Sequence, residues 1–155
     1  MAREFAVPAR ETVGVSRYAA AVAPYTLTIL RIIVGLTFLL TGLPKWSNLA
    51  GFSGFVGSLG VPMAGAVGPL IATLEVVGGL LLIVGLGTRW VSILFALEML
   101  VTTLLVKMPN VGFIAPQGKG AGAELDLLLL AGALVLFGYG SGMLSIERNV
   151  LKREI

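Results

Sequence analysis

The sequence predicts an all-α polytopic membrane protein, a four-transmembrane-helix bundle with a short interfacial helix between spans one and two. Two observations lead to this fold class. Hydrophobic residues make up 57% of the 155 residues and charged residues only 12%, and the mean hydropathy is +0.98, whereas soluble domains carry about 25% charged residues. Four segments approach the roughly 20 apolar residues that cross a bilayer core, and they leave no room for a soluble domain.

The four predicted spans are residues 25–43, 66–86, 90–106 and 124–140. Pro24 opens the first span and Pro44 closes it, as expected of residues that interrupt helices. The short turn at 85–89 predicts that spans two and three form an antiparallel hairpin. The segment 108–123 is rich in glycine and proline and lacks the spacing of a phosphate-binding loop, so it is predicted to be a flexible linker.

The connection between spans one and two is too apolar for an ordinary loop. Apolar residues recur there at helical spacing, namely Phe52, Phe55, Val56 and Leu59. This spacing indicates a short helix lying in the membrane interface. The alternative is a re-entrant lid over a lipid-accessible pocket.

Three regions follow one another along the chain: a lead-in of residues 1–24, a membrane domain of residues 25–145 and a tail of residues 146–155. The lead-in has no apolar core before a cleavage site, so it is not a secretory signal. Positive charge concentrates on the cytoplasmic side of membrane proteins, and this rule favours cytoplasmic termini. It places inside Arg3, Arg10, Arg17, Arg89, Arg148, Lys152 and Arg153, and outside only Lys45, Lys107 and Lys119.

Composition excludes several functional classes. The chain contains neither cysteine nor histidine, which excludes thiol–disulfide chemistry, serine–histidine hydrolysis and the usual haem or copper ligands. We therefore expect no metal site and no covalently bound cofactor, and the electrons of any redox reaction would reside on a bound organic molecule or on a partner. The net charge of +3 suits contact with anionic lipids, while the basic residues are too dispersed to bind nucleic acid.

Three charged residues lie inside predicted spans: Arg31, Glu75 and Glu98. A charge at bilayer depth costs at least about 2.5 kcal/mol on insertion scales, so such residues face the bundle interior and usually serve a purpose. Small residues mark the same faces, because Gly35 and Gly42 share a face with Arg31, and Gly79 shares one with Glu75. The inward-packing faces therefore carry the charges.

Depth along the helices places these three residues in one slab of the bundle. We expect Arg31 to pair with either Glu75 or Glu98, and the other carboxyl group to carry a proton, because burial and a like charge disfavour its ionised form. Two interpretations remain open: a contact with a ligand or a proton path, and an internal ion pair that fixes helix register.

A second polar layer is predicted further out, at the outer ends of the spans. It consists of Lys45, Lys107, Asn110, Glu124 and Asp126. These side chains form either an interfacial network of salt bridges or the mouth of a polar pocket. Together with the inner charges they outline a path from the outer face toward the middle of the membrane.

An ordered set of short motifs over about residues 27–145 resembles the DoxX family of membrane proteins. The motifs are Leu30-Arg31, Gly35-Leu36-Thr37-Phe38, Gly42-Leu43-Pro44-Lys45, Gly51-Phe52, Gly54-Phe55, Leu59-Gly60-Val61-Pro62, Leu74-Glu75 with Gly78-Gly79, Gly87-Thr88-Arg89, Pro109-Asn110 with Gly112-Phe113, and Glu124. The resemblance implies a four-helix protein of the bacterial inner membrane, since named members include a subunit of thiosulfate:quinone oxidoreductase and a membrane partner of superoxide dismutase. Many relatives carry histidine near Lys107, so a catalytic role at that position does not carry over.

Three functions fit these observations. The first is a quinone-interacting or membrane-anchoring subunit of a redox or oxidative-stress assembly, with an oxidoreductase partner supplying electrons. The second is a non-catalytic scaffold for partner proteins, in which the buried charges only lock the bundle. The third is transport of a small solute, for which no inverted repeat is visible. The chain has no self-sufficient catalytic constellation, because its Ser and Thr residues lack an activating base.

Overall fold

The computed structural model describes residues 15–117 and 120–152, and all regular structure in these ranges is helical. Its elements are α1 (Val15–Ser47), α2 (Leu49–Ser58), α3 (Ala64–Val84), α4 (Thr88–Thr102), a π-helical segment (Thr103–Lys107), α5 (Met108–Asn110), α6 (Ala123–Tyr139) and α7 (Ile146–Asn149). The predicted helical membrane fold is confirmed. The division into lead-in, membrane domain and tail stays a prediction, and most of the lead-in lies outside the described residues.

Three stretches of helix are long and apolar enough to cross a membrane: Ala21–Ser47, Ala64–Val84 and Thr88–Asn110. The fourth predicted span corresponds to α6, which has 17 residues and is therefore about 26 Å long, a few ångströms less than a typical hydrocarbon core. It packs antiparallel to α4, since Thr102 bonds Asp126 at one end and Arg89 bonds the carbonyl of Phe137 at the other.

The first helix is longer than predicted at both ends. It begins at Val15, runs through Pro24 and ends at Ser47, beyond Pro44. The prediction that the two prolines bound this span is wrong, because a proline removes one backbone hydrogen bond and membrane helices tolerate that loss. The break falls instead at Asn48, whose side chain accepts a hydrogen bond from the amide of Gly51 at 3.0 Å and thereby starts α2.

Helices α1 and α3 pack backbone to backbone through small residues, as their sequence predicts. A Cβ atom built on Gly79 would lie 2.7 Å from the carbonyl oxygen of Gly35, and one built on Gly35 would lie 2.8 Å from the carbonyl oxygen of Gly79. Close approach of this kind is the way in which membrane helices gain packing energy. The contact fixes the register between the two helices, and with it the height of every charge on them.

An apolar layer crosses the middle of the bundle. Phe38 of α1 and Phe95 of α4 stack with ring centroids 3.6 Å apart, and Leu82 and Leu136 are completely buried beside them in the same cluster. This layer separates two polar regions. We call them the cavity end, which contains Lys45, and the arginine end, which contains Arg31.

Candidate functional site

A cavity of about 440 Å³ lies at the cavity end of the bundle. Side chains from α1, α2, α3, α4, the π-helical segment and α6 line it, and most of them are apolar. Five of the eight charged or polar residues singled out from the sequence line this cavity: Lys45, Glu75, Glu98, Lys107 and Asp126. Both predicted polar layers therefore meet in one space.

Helix α2 covers the cavity. It begins at the Asn48 cap, and its apolar side chains Phe52, Phe55 and Val56 line the cavity together with Leu59 just beyond its end. The predicted short helix is therefore confirmed. Its position over a pocket agrees with the alternative interpretation of this segment as a lid. Because α2 is attached to α1 through the single residue Asn48, it holds the cover close to the charged end of α1.

Lys45 and Glu75 form the ion pair of the cavity. The Nζ atom of Lys45 contacts Oε1 of Glu75, and the exposed fractions of the two side chains are 29% and 2%. Lys45 Nζ also lies 5.1 Å from the ring centroid of Phe52, at cation–π distance. The expected pairing of Arg31 with one of the carboxyl groups is wrong, because helix register brings Lys45 and not Arg31 to the height of Glu75.

Glu98 is the least satisfied charged side chain of the cavity. It is 8% exposed, and within residues 15–117 and 120–152 neither of its carboxyl oxygens has a donor apart from the neighbouring carboxyl group of Glu75. The second oxygen of Glu75, Oε2, is likewise unpartnered among those residues. Of these two carboxyl groups, Lys45 therefore contacts that of Glu75 only, and among the described residues Glu98 neighbours Glu75 without a cation in contact with it. Buried polar atoms without partners are uncommon in native proteins, and each one calls for an explanation.

The outer residues bind nearby groups, and the predicted network of salt bridges among them is not formed in the part of the chain that the structure describes. Asp126 Oδ2 accepts from the Thr102 hydroxyl at 2.9 Å. Lys107 Nζ donates to a backbone carbonyl, that of Ala121, at 2.6 Å. Because Lys107 and Asp126 line the cavity, the alternative of a polar mouth is the better description.

Two residues of the predicted outer layer do not line the cavity. Asn110 donates to the carbonyl of Val106 at 2.9 Å, which lies one helical turn earlier. Glu124 lies in the first turn of α6, where the helix dipole favours a carboxylate, and it accepts from the amide of Gly122 at 3.1 Å. Their roles are local and structural.

Arg31 lies at the arginine end, away from the cavity. Fourteen residues of α1 separate it from Lys45, which corresponds to about 21 Å. Arg31 is 1% exposed, and its guanidinium group donates to the carbonyl oxygens of Ser141, Leu144 and Ile83. The prediction that Arg31 shares one slab with Glu75 and Glu98 is therefore wrong.

Glu147 provides the buried carboxylate at the arginine end. It is completely buried, interacts electrostatically with Arg31 and accepts from the backbone amide of Thr88 at 2.9 Å. Sequence reasoning missed it, because residues 146–155 were assigned to a tail. The available signal was Ser145, whose hydroxyl accepts from the amide of Arg148 at 3.2 Å and caps α7.

Other cavity residues also escaped sequence reasoning, which singled out charges. The hydroxyl-bearing residues Thr37, Thr41 and Thr102 line the cavity. Threonine is common on packed faces of membrane helices, so only the tertiary arrangement distinguishes these positions from the others.

Comparison with known proteins gives consistent matches over the same region. The family model described as DoxX matches residues 26–108. A Bacillus subtilis protein named "Putative oxidoreductase CatD" is 36% identical over 126 residues, which cover 80% of this chain and 86% of the relative. The Escherichia coli "Inner membrane protein YphA" is 33% identical over 134 residues, covering 83% and 93% of the two chains.

A Mycobacterium tuberculosis protein named "Uncharacterized membrane protein Rv3486" is 30% identical over 138 residues, with 84% of each chain covered. No solved structure matches the chain. The family match takes in α2, α3 and α4 and most of α1, and with them the Lys45–Glu75 pair and Glu98. It agrees with the resemblance carried by the sequence motifs, and this chain belongs to the DoxX family.

Proposed function

We propose that this protein binds the head group of a quinone–quinol couple in the cavity and acts as the membrane subunit of a redox assembly in a bacterial inner membrane. One observation carries the proposal: a largely apolar cavity of about 440 Å³ is lined by the carboxyl groups of Glu75 and Glu98, with Lys45 in contact with Glu75 and with Lys107 and Asp126 further along the lining. Sites for small molecules have this character, with apolar walls and a few convergent polar groups in volumes of about 300–1,000 Å³.

The lining suits an aromatic ring that carries two oxygens. Phe38, Val56 and Met99 offer apolar surface to a ring, while Lys45, Glu75 and Glu98 offer hydrogen-bonding groups to its oxygens. An isoprenoid tail would extend between the apolar side chains at the membrane-facing side of the cavity. A soluble, strongly charged substrate would find too few polar partners among these walls.

The redox part of the proposal rests on the relatives and on composition. One relative, from Bacillus subtilis, is named as an oxidoreductase. Conversion of a quinone to a quinol takes up two electrons and two protons. Because this chain has no cysteine or histidine, the electrons would come from a partner redox protein, and the cavity carboxyl groups would hold and orient a proton near the ring oxygens.

A cavity-filling variant tests the proposal. Ile71 lines the cavity one helical turn from Glu75, so Ile71→Trp should fill the space and exclude a ring. Leu70→Trp is the matched control, because Leu70 is the neighbouring residue of α3 and is 68% exposed on the outer surface. Mass spectrometry of molecules that co-purify with each protein should find quinone or quinol in the wild type and in Leu70→Trp, and at least tenfold less in Ile71→Trp.

The same experiment separates the proposal from the scaffold hypothesis. If all three proteins carry only bulk phospholipid, and added short-chain quinones do not bind saturably, the cavity is not a quinone site. The family member would then be a membrane scaffold whose buried charges serve only packing. Retention of quinone by Ile71→Trp at the wild-type level would place the binding site elsewhere on the protein.

A further inference from the structure

Most of the polar groups of the cavity that lack a hydrogen-bond partner are acceptors. Glu98 is 8% exposed and Glu75 is 2% exposed, and three of their four carboxyl oxygens have no donor other than each other in the described part of the chain. A buried carboxyl oxygen without a donor is unfavourable, so a ligand that supplies a donor to it binds more tightly than one that does not.

The donor groups of the cavity, in contrast, already have acceptors or access to water. Lys45 Nζ already contacts Glu75, and its side chain is 29% exposed, so its remaining N–H groups can be hydrated at the mouth. Lys107 Nζ donates to the carbonyl of Ala121. The Thr41 hydroxyl donates to the carbonyl of Thr37 at 2.9 Å within α1. These donors therefore gain little from an acceptor on a ligand.

We propose that the cavity binds the reduced, dihydroxy form of its ligand in preference to the oxidised dione. The inference rests on the proposed function and states which redox state of the couple the site selects. A quinol ring carries two O–H donors, whereas a quinone ring carries only carbonyl acceptors. The quinol therefore supplies the hydrogen-bond donors that Glu75 Oε2 and the oxygens of Glu98 lack, and the quinone supplies none.

The inference holds whether or not a proton lies between the two carboxyl groups. With no proton, Glu75 Oε2 and both oxygens of Glu98 need donors. With one proton shared between Glu75 and Glu98, one oxygen of the pair donates to its neighbour, and the remaining oxygen of Glu98 still needs a donor. In each state the quinol fits better, because a hydrogen bond to a charged acceptor is worth more than one between neutral groups.

The test compares two probes that differ only in their oxygens, tetramethyl-1,4-benzoquinone and tetramethyl-1,4-hydroquinone. Binding to the purified protein is measured anaerobically by calorimetry, and the Ile71→Trp protein provides the background from partition into detergent. We expect the hydroquinone to bind the wild type at least tenfold more tightly. Such a ratio raises the midpoint potential of the bound two-electron couple by about 30 mV.

The Glu98→Gln variant ties the preference to the carboxyl group. The side chain keeps its size and exchanges one acceptor oxygen for an N–H donor, so hydroquinone should bind less tightly and the ratio should fall below about threefold. Glu147→Gln is the matched control, because Glu147 is also a buried glutamate but lies at the arginine end. It should keep the wild-type ratio.

Each outcome has a distinct meaning. Equal binding of the two probes, tighter binding of the quinone, or a ratio unchanged in Glu98→Gln would overturn the preference while leaving the cavity as a quinone site. Absence of saturable binding of both probes would overturn the proposed function itself, and the preference with it.

Discussion

At the scale of single residues, the two polar ends of this bundle illustrate opposite ways of burying charge. At the arginine end, Arg31 donates to three carbonyl oxygens and interacts with Glu147, and among the described residues only its Nε and Oε2 of Glu147 lack a partner. At the cavity end, one lysine faces Glu75 and Glu98, and the compensation is incomplete. Removal of one partner from a buried charged group is strongly destabilising, whereas buried groups without partners are departures that proteins make chiefly at functional sites.

Arg31 is expected to stabilise the arginine end of the bundle. Substitution Arg31→Ala removes the positive charge that interacts with the buried Glu147 and leaves the carbonyl groups of Ser141 and Leu144 without this donor. We expect the free energy of unfolding to fall by about 3–5 kcal/mol, measured by denaturant titration in detergent. The double variant Arg31→Ala/Glu147→Gln should recover part of the loss. Unchanged stability in Arg31→Ala would show that Arg31 is not a structural residue of the bundle.

At the scale of elements, the contact between α1 and α3 determines what the site contains. Gly35 and Gly79 allow the two backbones to touch, and the resulting register brings Lys45 to the height of Glu75. A Cβ atom built on Gly42 would lie 2.7 Å from the Cβ of Glu75, so the same close approach continues to the ion pair. The geometry of the cavity therefore depends on the absence of side chains on these faces.

Two glycine substitutions test the packing of α1 on α3. Gly79→Ala introduces a methyl group into the backbone of α1 and should lower the free energy of unfolding by about 1–3 kcal/mol. Gly54→Ala is the control, because nothing lies within 4 Å of a Cβ built at Gly54 in α2, and there alanine should be neutral or stabilising by up to about 1 kcal/mol. Equal effects of the two substitutions would contradict the proposed packing of α1 on α3.

At the scale of the whole molecule, the protein has one end closed by packed polar groups and another end with a covered cavity. Basic residues of the sequence predict that the arginine end faces the cytoplasm, so the cavity would face the outer side of the membrane. A ligand would then reach Glu98 from the outer leaflet or from the mouth near Lys45 and Asp126, without crossing the apolar layer around Phe38 and Phe95.

The orientation is testable because the chain contains no cysteine, so a single introduced cysteine is the only thiol. Gln117 and Asn149 are both exposed; Gln117 lies in the connection between α5 and α6, and Asn149 ends α7 at the opposite end of the bundle. A membrane-impermeant maleimide should label Gln117→Cys in cells whose cytoplasmic membrane is intact, and should label Asn149→Cys only after permeabilisation. The reverse pattern would invert the topology and place the cavity on the cytoplasmic side.

The sequence by itself determined the membrane class, the approximate positions of the helices, the faces along which α1 and α3 pack and all five charged residues of the cavity. These features follow from composition and from periodicity along single helices, which neighbouring residues specify. Only the tertiary structure decided that Lys45 and not Arg31 pairs with Glu75, that Glu147 belongs to the bundle, and that α2 closes a cavity. Such pairings depend on the relative height and rotation of different helices. Contacts between residues distant in the chain, such as Gly35 with Gly79 and Arg31 with Ser141, set those quantities.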